Sequence, residues 1–125
     1  MKSFILIRIL RQKKDKLTTP EYNHIVKELR CYFHSLGYLE VETQSRLSIL
    51  AACEVPDSII PYSLQGKSYP LPQTGQMTLE KELLSHPELP GLFCTTTSYR
   101  DEKNPIEGRH DIIFPMFEFE GRGTI

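Results

Sequence analysis

Two strand-like segments near the C-terminal end of the chain place the strongest constraint on its fold. Residues 92–99 and 112–120 are rich in threonine, aromatic or branched side chains, which favour strands. Residues 101–111 between them are polar and contain Pro105 and Gly108, which is typical of a loop. Together the three segments predict an antiparallel hairpin with a long loop.

A helix followed by a strand is predicted earlier in the chain. Thr18 and Thr19 offer a hydroxyl cap, and Pro20 and Glu21 follow in the order that is typical of a helix start. Gly37 is suited to end the helix, and the next six residues alternate as a strand, residues 38–43. The apolar positions at helical spacing are Tyr22, Ile25, Val26, Leu29, Phe33 and Leu36. They predict one face that packs against a core.

The middle of the chain is punctuated by prolines and predicts short elements. Ile59 to Leu64 and Ser68 to Leu71 are predicted strands, joined by a turn at Gln65-Gly66-Lys67. Thr74 is suited to cap a second helix, from about Gly75 to Ser85. The whole order predicts an α+β fold with an antiparallel sheet and flanking helices, because no βαβ alternation is present.

The composition is that of one small soluble domain. The chain has 125 residues and a formal net charge of -1, so it is no polycation that coats nucleic acid. Cys31, Cys53 and Cys94 are far apart and form no C-x-x-C pair. The sequence therefore predicts neither a disulfide framework nor a zinc site, and a reducing cytoplasm is the expected compartment.

Residues 1–18 are predicted to form a basic N-terminal arm that precedes a folded domain, residues 19–125. Six lysines and arginines against Asp15 give the arm a local charge of +5. The preferred interpretation is a partly frayed, solvated segment, and contact of this charge with RNA or a membrane surface is the alternative. The apolar stretch in residues 1–10 is far too short to span a bilayer, and no membrane partner is expected.

Period-two geometry places polar and aromatic side chains on one face of the predicted hairpin. Arg100 and Glu102 share a face where the first strand ends, and Arg109 and His110 lie at the root of the loop. The face of the returning strand that lies opposite Phe117 and Phe119 carries Phe114, Met116, Glu118 and Glu120. An arginine fork, a carboxylate and an exposed aromatic ring make a reasonable nucleotide site. A charged sheet face with incidental salt bridges is the alternative.

The order of these residues resembles motif 2 of class II aminoacyl-tRNA synthetases. That motif has an aromatic residue, Arg, any residue and Glu, then a loop, Arg or His, three residues, Phe, three residues and an acid. The matching positions here are Tyr99, Arg100, Glu102, His110, Phe114 and Glu118.

The resemblance implies a role for each matching residue. Arg100 would be the catalytic residue, which grips the α-phosphate of ATP and the carboxylate of the amino acid. Glu102 would read the amino group of adenine, and Phe114 would stack on the adenine ring. His110, with Arg109, would meet the β- and γ-phosphates.

A second segment, Leu71 to Met77, resembles the Leu-x-Gln-Ser-Pro-Gln-Leu segment of the aspartate/asparagine/lysine branch of that family. Thr74 stands where the family has serine, and Gly75 where it often has proline. The resemblance implies that Thr74 and Gln76 contact the amino-acid substrate. A helix cap with a surface amide is the alternative.

A third segment, Leu36 to Thr43, resembles motif 1, in which a long helix leads into a strand at the dimer interface. The resemblance implies a homodimer through this region, although Gln44 stands where the family has proline. Glu54 falls near the family's glutamate that binds the α-amino group of the substrate, and an exposed loop acid is the alternative reading there.

Motif 3, the glycine-rich segment whose arginine closes on the other face of adenine, has no match in this sequence. The magnesium-binding acids that precede it and the anticodon-binding domain of this branch have no match either. The resemblance implies that Mg2+ accompanies ATP. Because the acids that bind it have no match here, its ligands are expected beyond the end of this sequence.

The function implied by the resemblance is ATP-dependent amino-acid activation, followed by transfer of the aminoacyl group to tRNA. The chain is expected to be a truncated ligase-like protein that is weak or inactive alone. One alternative is a non-catalytic synthetase-like module that binds ATP or an amino acid and serves a regulatory role. The other is an unrelated α+β interaction domain.

Overall fold

The computed structural model describes residues 7–8, 17–50 and 55–123, and the first of these ranges as backbone only. Most of the predicted arm and two of the residues singled out above, Cys53 and Glu54, lie outside the described residues. The elements in chain order are β1 (Ile7–Arg8), α1 (Thr19–Ser35), β2 (Leu39–Glu40), a 3-10 turn (Pro56–Ser58), β3 (Pro61–Leu64), β4 (Lys67–Pro70), α2 (Gln76–Ser85), β5 (Gly91–Tyr99) and β6 (Ile113–Gly121).

A mixed four-stranded sheet with the order β1-β6-β5-β2 is the centre of the fold. Strands β5 and β6 pair antiparallel along their whole length, from Gly91 opposite Gly121 to Tyr99 opposite Ile113. The predicted long-looped hairpin is therefore confirmed. The β1 strand pairs antiparallel with β6, while β2 pairs parallel with β5.

The two helices cover opposite faces of this sheet. The first core cluster lies between α1 and the odd-numbered positions of the hairpin, and consists of Val26, Phe33, Tyr38, Phe93, Phe117 and Phe119. The second lies between α2 and the even-numbered positions, and consists of Leu79, Leu83, Leu92 and Cys94. This three-layer arrangement confirms the α+β fold class and the predicted split of β6 into two faces.

Helix α1 begins and ends as its sequence predicts. Thr18 is the N-cap and forms a capping box with Glu21, whose amide donates to the Thr18 hydroxyl while its carboxylate accepts from the Thr18 amide. Gly37 follows the helix with a φ of +79°, a conformation that side chains with a Cβ rarely adopt. A bidentate ion pair from Arg30 to Glu40 then fastens α1 to β2.

Two predicted boundaries differ from the structure. The strand predicted over residues 38–43 pairs only at Leu39–Glu40, although the Val41 amide still donates to the Phe93 carbonyl at 2.8 Å. Pairing stops there because Ser45 donates from its amide and hydroxyl to the Glu42 carboxylate, which folds the chain into a local turn. Helix α2 begins at Gln76 with Gly75 as its N-cap residue, one position later than predicted.

A second, separate hairpin of strands β3 and β4 confirms the prediction for the middle of the chain. Leu64 pairs with Lys67, so its turn has two central residues, Gln65 and Gly66. Both have positive φ, 51° and 75°, as the tight turns that suit twisted strands require. No helix in the described part of the chain is long and apolar enough to cross a bilayer.

Candidate functional site

The outer end of the β5–β6 hairpin brings Arg100 and Phe114 together. Ser98 lies directly opposite Phe114 in the register, and the Arg100 amide donates to the Ile112 carbonyl at 2.7 Å just beyond the last strand pair. The Arg100 Nε donates to the Ser98 hydroxyl at 3.1 Å, and the guanidinium carbon lies 5.6 Å from the centre of the Phe114 ring. This distance is within the range of a cation–π contact.

Phe114 differs from the prediction in one respect, because its ring is buried and not exposed. Only 5% of Phe114 is accessible to solvent. The guanidinium of Arg100 over the ring is one physical reason for this burial. A planar base that stacks on Phe114 from that side has to displace the guanidinium.

The remaining predicted nucleotide contacts lie in and beside the loop. His110 Nδ1 is 3.3 Å from the Ile106 amide, which fixes the imidazole to the loop backbone. Arg109 is exposed and Glu102 is half-buried. Within the described part of the chain, neither Glu102 nor His110 makes a hydrogen bond or ion pair with Arg100. The structure therefore joins Arg100 to Phe114, and the roles of the loop residues stay predictions.

A buried carboxylate lies further down the same face of the sheet. Glu118 is 5% exposed and accepts three hydrogen bonds, from the Thr74 hydroxyl, from the Gly75 amide at 2.7 Å and from the Thr96 hydroxyl at 2.6 Å. The motif predicts an acid at Glu118 but no partner for it. No local pattern predicts its contacts with Gly75 and Thr96, because these residues are far apart from Glu118 in sequence.

Gly75 allows the backbone before α2 to come close enough to β5 and β6 for these hydrogen bonds to form. A Cβ atom at this position would lie 2.6 Å from Thr96 Cγ2 and 2.8 Å from Cys94 Sγ, closer than such atoms can come. The chain therefore requires glycine here for space, and its φ of -90° is an ordinary one. Burial also raises the pKa of the Cys94 thiol, with the Glu118 charge adding to the effect, so this thiol stays protonated.

A polar cleft of about 190 Å³ opens beside the start of α2. Its wall includes the Arg46 and Tyr62 side chains, and Arg46 is itself held by Glu82 at 2.6 Å. Five threonines line it: Thr43, Thr74, Thr78, Thr96 and Thr97. Such a lining offers hydroxyl donors and acceptors to a small polar ligand. Of the two residues predicted to contact the amino acid, Thr74 lies in the wall of this cleft. Gln76 is half-buried, and its backbone N–H donates a hydrogen bond to the Thr74 hydroxyl at 3.1 Å.

Glu120, at the inner end of the same face, is a second buried carboxylate with a different environment. It is 6% exposed, and its Oε2 atom has no hydrogen-bond partner among the described residues. Burial raises the pKa of Glu120 above its ordinary value, and the nearby Glu80 raises it further. The folded protein therefore disfavours the ionised form of this side chain.

Glu120→Gln is expected to stabilise the protein at neutral pH. Because the folded-state pKa is raised, the contribution of Glu120 to stability is largest at low pH and is lost as the pH rises through that pKa. Gln removes the charge at similar volume, so we expect the free energy of unfolding to rise by about 1 kcal/mol at pH 7. Urea denaturation at pH 7 and at about pH 4 measures this, and the gain should vanish at the lower pH. An equal gain at both values would contradict this explanation, and the exposed Glu28→Gln is the matched control.

A metal site does not fit the residues that the structure describes. No group of three or more His, Cys, Asp or Glu side chains in residues 17–50 and 55–123 is placed to hold a metal ion.

Two solved structures of known proteins have a fold similar to that of this chain. No family model matches the sequence, and no curated protein matches it. Asparaginyl-tRNA synthetase from Pyrococcus horikoshii, solved with asparaginyl-adenylate, is similar with a TM-score of 0.67 and 23% identity over 79% of this chain. The Entamoeba histolytica asparaginyl-tRNA synthetase, also solved with asparaginyl-adenylate, has a TM-score of 0.55 and 20% identity over 86% of this chain.

The chain has the fold of part of a class II aminoacyl-tRNA synthetase catalytic domain. It spans 21% of the Pyrococcus horikoshii chain and 26% of the Entamoeba histolytica chain. Both are asparaginyl enzymes, which lie in the branch that the sequence motifs resemble. At these identities the likeness shows the fold alone.

Proposed function

We propose that this chain supplies the ATP-binding hairpin and part of the amino-acid pocket of a site that forms aminoacyl-adenylate. The observation that carries the proposal is the position of the Arg100 guanidinium over Phe114, on the sheet face that also holds the Thr74 segment. Two proteins with this fold were solved with asparaginyl-adenylate, which supports an asparagine-type substrate.

In the proposed reaction a carboxylate oxygen of the amino acid attacks the α-phosphorus of ATP, and pyrophosphate leaves. Both reactants are anionic, so the site must hold them together and neutralise charge. A guanidinium does both, because its planar fork donates to two oxygens at once. Arg100 is half-buried, and its side-chain hydrogen bond within the described residues runs from Nε to Ser98, so its two terminal nitrogens are the donors proposed for phosphate and carboxylate.

Phe114 is proposed as the surface on which adenine stacks. The guanidinium that now lies over the ring would move toward the α-phosphate as the base enters, which exchanges a cation–π contact for charge-assisted hydrogen bonds. Glu102 is proposed to accept from the exocyclic amino group, and Arg109 and His110 to meet the β- and γ-phosphates from the loop. The threonine-lined cleft beside Thr74 is proposed for the side chain of the amino acid.

Transfer to tRNA, a homodimer and a cytoplasmic location belong to the same proposal. Two exposed apolar side chains at the edge of the sheet support the dimer. Leu36 is 40% exposed and Leu39 is 49% exposed, and both lie at or beside β2, the edge strand. An open strand edge with apolar neighbours favours pairing with a second copy.

The proposal is tested by titrating the 125-residue chain with nucleotides in a calorimeter. ATP with Mg2+ and asparaginyl-sulfamoyl-adenosine, a stable analogue of the adenylate, are both expected to bind. GTP is expected to bind at least about tenfold more weakly, because guanine has a carbonyl at C6, where adenine has the amino group that would donate to Glu102. The absence of heat with all three ligands would refute the proposal. ATP–pyrophosphate exchange then separates an enzyme from a module that binds without catalysis.

A further inference from the structure

Glu118 connects three parts of the chain through one carboxylate. Its Oε1 atom accepts from the Thr74 hydroxyl, and its Oε2 atom accepts from the Gly75 amide and the Thr96 hydroxyl. The carboxylate lies on β6, the first two donors precede α2, and Thr96 is on β5. Three donors around a side chain that is 5% exposed leave no room for a ligand to bind Glu118 itself.

The segment before α2 is fastened to the hairpin at a second point. The Tyr99 amide donates to the Pro72 carbonyl at 2.9 Å, one residue before Arg100. The same segment is packed tightly against the sheet at Gly75, where no Cβ fits. Both of its ends thus depend on β5, which ends immediately before Arg100, and on β6, which carries Phe114.

The bond to Glu118 also sets the orientation of Thr74. The Thr74 hydroxyl donates its single proton to Glu118 and accepts from the backbone N–H of Gln76. Its oxygen therefore offers a substrate only an acceptor, since the proton is already engaged. Removal of the carboxylate would release that proton and the first turn of α2 together.

We propose that Glu118 is a positioning residue. It holds Thr74 and Gln76, and with them the amino-acid pocket, at a fixed position relative to the ATP-binding hairpin. This inference rests on the proposed function. Among the described residues Glu118 makes no hydrogen bond with Arg100, and its role in this proposal is to hold the segment that carries Thr74. A carboxylate suits this position because both of its oxygens accept, whereas Gln would present an amino group to a donor.

Hydrogen exchange in the 125-residue chain tests the structural part without any ligand. In Glu118→Gln the amides of Gly75 and Gln76 are expected to exchange at least about tenfold faster, as for the loss of a charge-assisted bond. The amides of Phe93 and Phe117, within the β5–β6 ladder, should be unchanged. Unaltered exchange at Gly75 and Gln76 would overturn the inference.

Ligand affinity tests the functional part. Glu118→Gln is expected to weaken asparaginyl-sulfamoyl-adenosine by about tenfold and ATP by less than about twofold, because only the analogue occupies the amino-acid pocket. Equal losses for both ligands would show a general structural role and overturn the inference. A wild-type chain that binds neither ligand would refute the proposed function, and the exchange result would still decide whether Glu118 fixes the segment.

A pair of variants at Thr96 repeats the test with smaller changes. Thr96→Val removes one donor to Glu118 at equal volume, and Thr96→Ser keeps that donor. The valine variant is expected to show the same faster exchange at Gly75 and Gln76, and the serine variant should restore the wild-type rate. This pair carries the test if Glu118→Gln fails to fold.

Discussion

Phe33→Ala is expected to cost about 3–5 kcal/mol of the free energy of unfolding, the largest effect on stability of any change proposed for this protein. Phe33 is 2% exposed, and its ring centre lies 4.5 Å from that of Phe119 and 5.4 Å from that of Phe117. It also contacts Phe93 and Tyr38, so one side chain joins α1 to both central strands. Truncation would leave a cavity that a rigid sheet cannot fill.

Urea denaturation followed by circular dichroism measures this loss. Because a domain of this size is stabilised by about 5–15 kcal/mol, the variant is expected to fall near the limit of folding at 37 °C. Tyr32→Ala is the matched control, since Tyr32 is the preceding aromatic residue and is 52% exposed. It should cost less than about 1 kcal/mol. Similar losses for the two variants would mean that α1 does not pack on the sheet through Phe33.

Arg100→Ala is expected to weaken ATP binding by about 10- to 100-fold, the range for hydrogen bonds to a charged group. In a complete synthetase site, the same change should lower adenylate formation by about two to three orders of magnitude. Stability should change little, because the guanidinium is half-buried and, in the part of the chain that the structure describes, makes one hydrogen bond and one ring contact. The measurements are calorimetry with ATP and, for catalysis, ATP–pyrophosphate exchange.

Two companion variants make the Arg100 result specific. Lys27→Ala removes one positive charge from the exposed side of α1, which covers the sheet face opposite to that of Phe114. This change should leave ATP affinity unchanged. Arg100→Lys keeps the charge without the planar fork and should give an intermediate affinity. If Arg100→Ala bound ATP as tightly as the wild type, Arg100 would have no part in nucleotide binding, and the proposed site would have to lie elsewhere.

Sequence patterns were most informative where structure depends on neighbouring residues. The capping box at Thr18, the turn at Gln65-Gly66 and the pairing of β5 with β6 all follow from local spacing, and the structure confirms them. The register of that hairpin also fixed that Arg100 and Phe114 share a face. Patterns were less accurate for β2, where the turn at Glu42 and Ser45 ended the pairing early.

The sequence by itself determined the α+β order of elements, the two faces of the hairpin and the identity of the residues proposed to bind ATP. Only the tertiary structure decided that Phe114 is buried under Arg100 and that Glu118 accepts hydrogen bonds from Thr74, Gly75 and Thr96. The reason is physical. Caps and strand faces depend on bonds and alternation over a few residues, whereas Thr74 and Glu118 are 44 positions apart and meet only when α2 packs on the finished sheet.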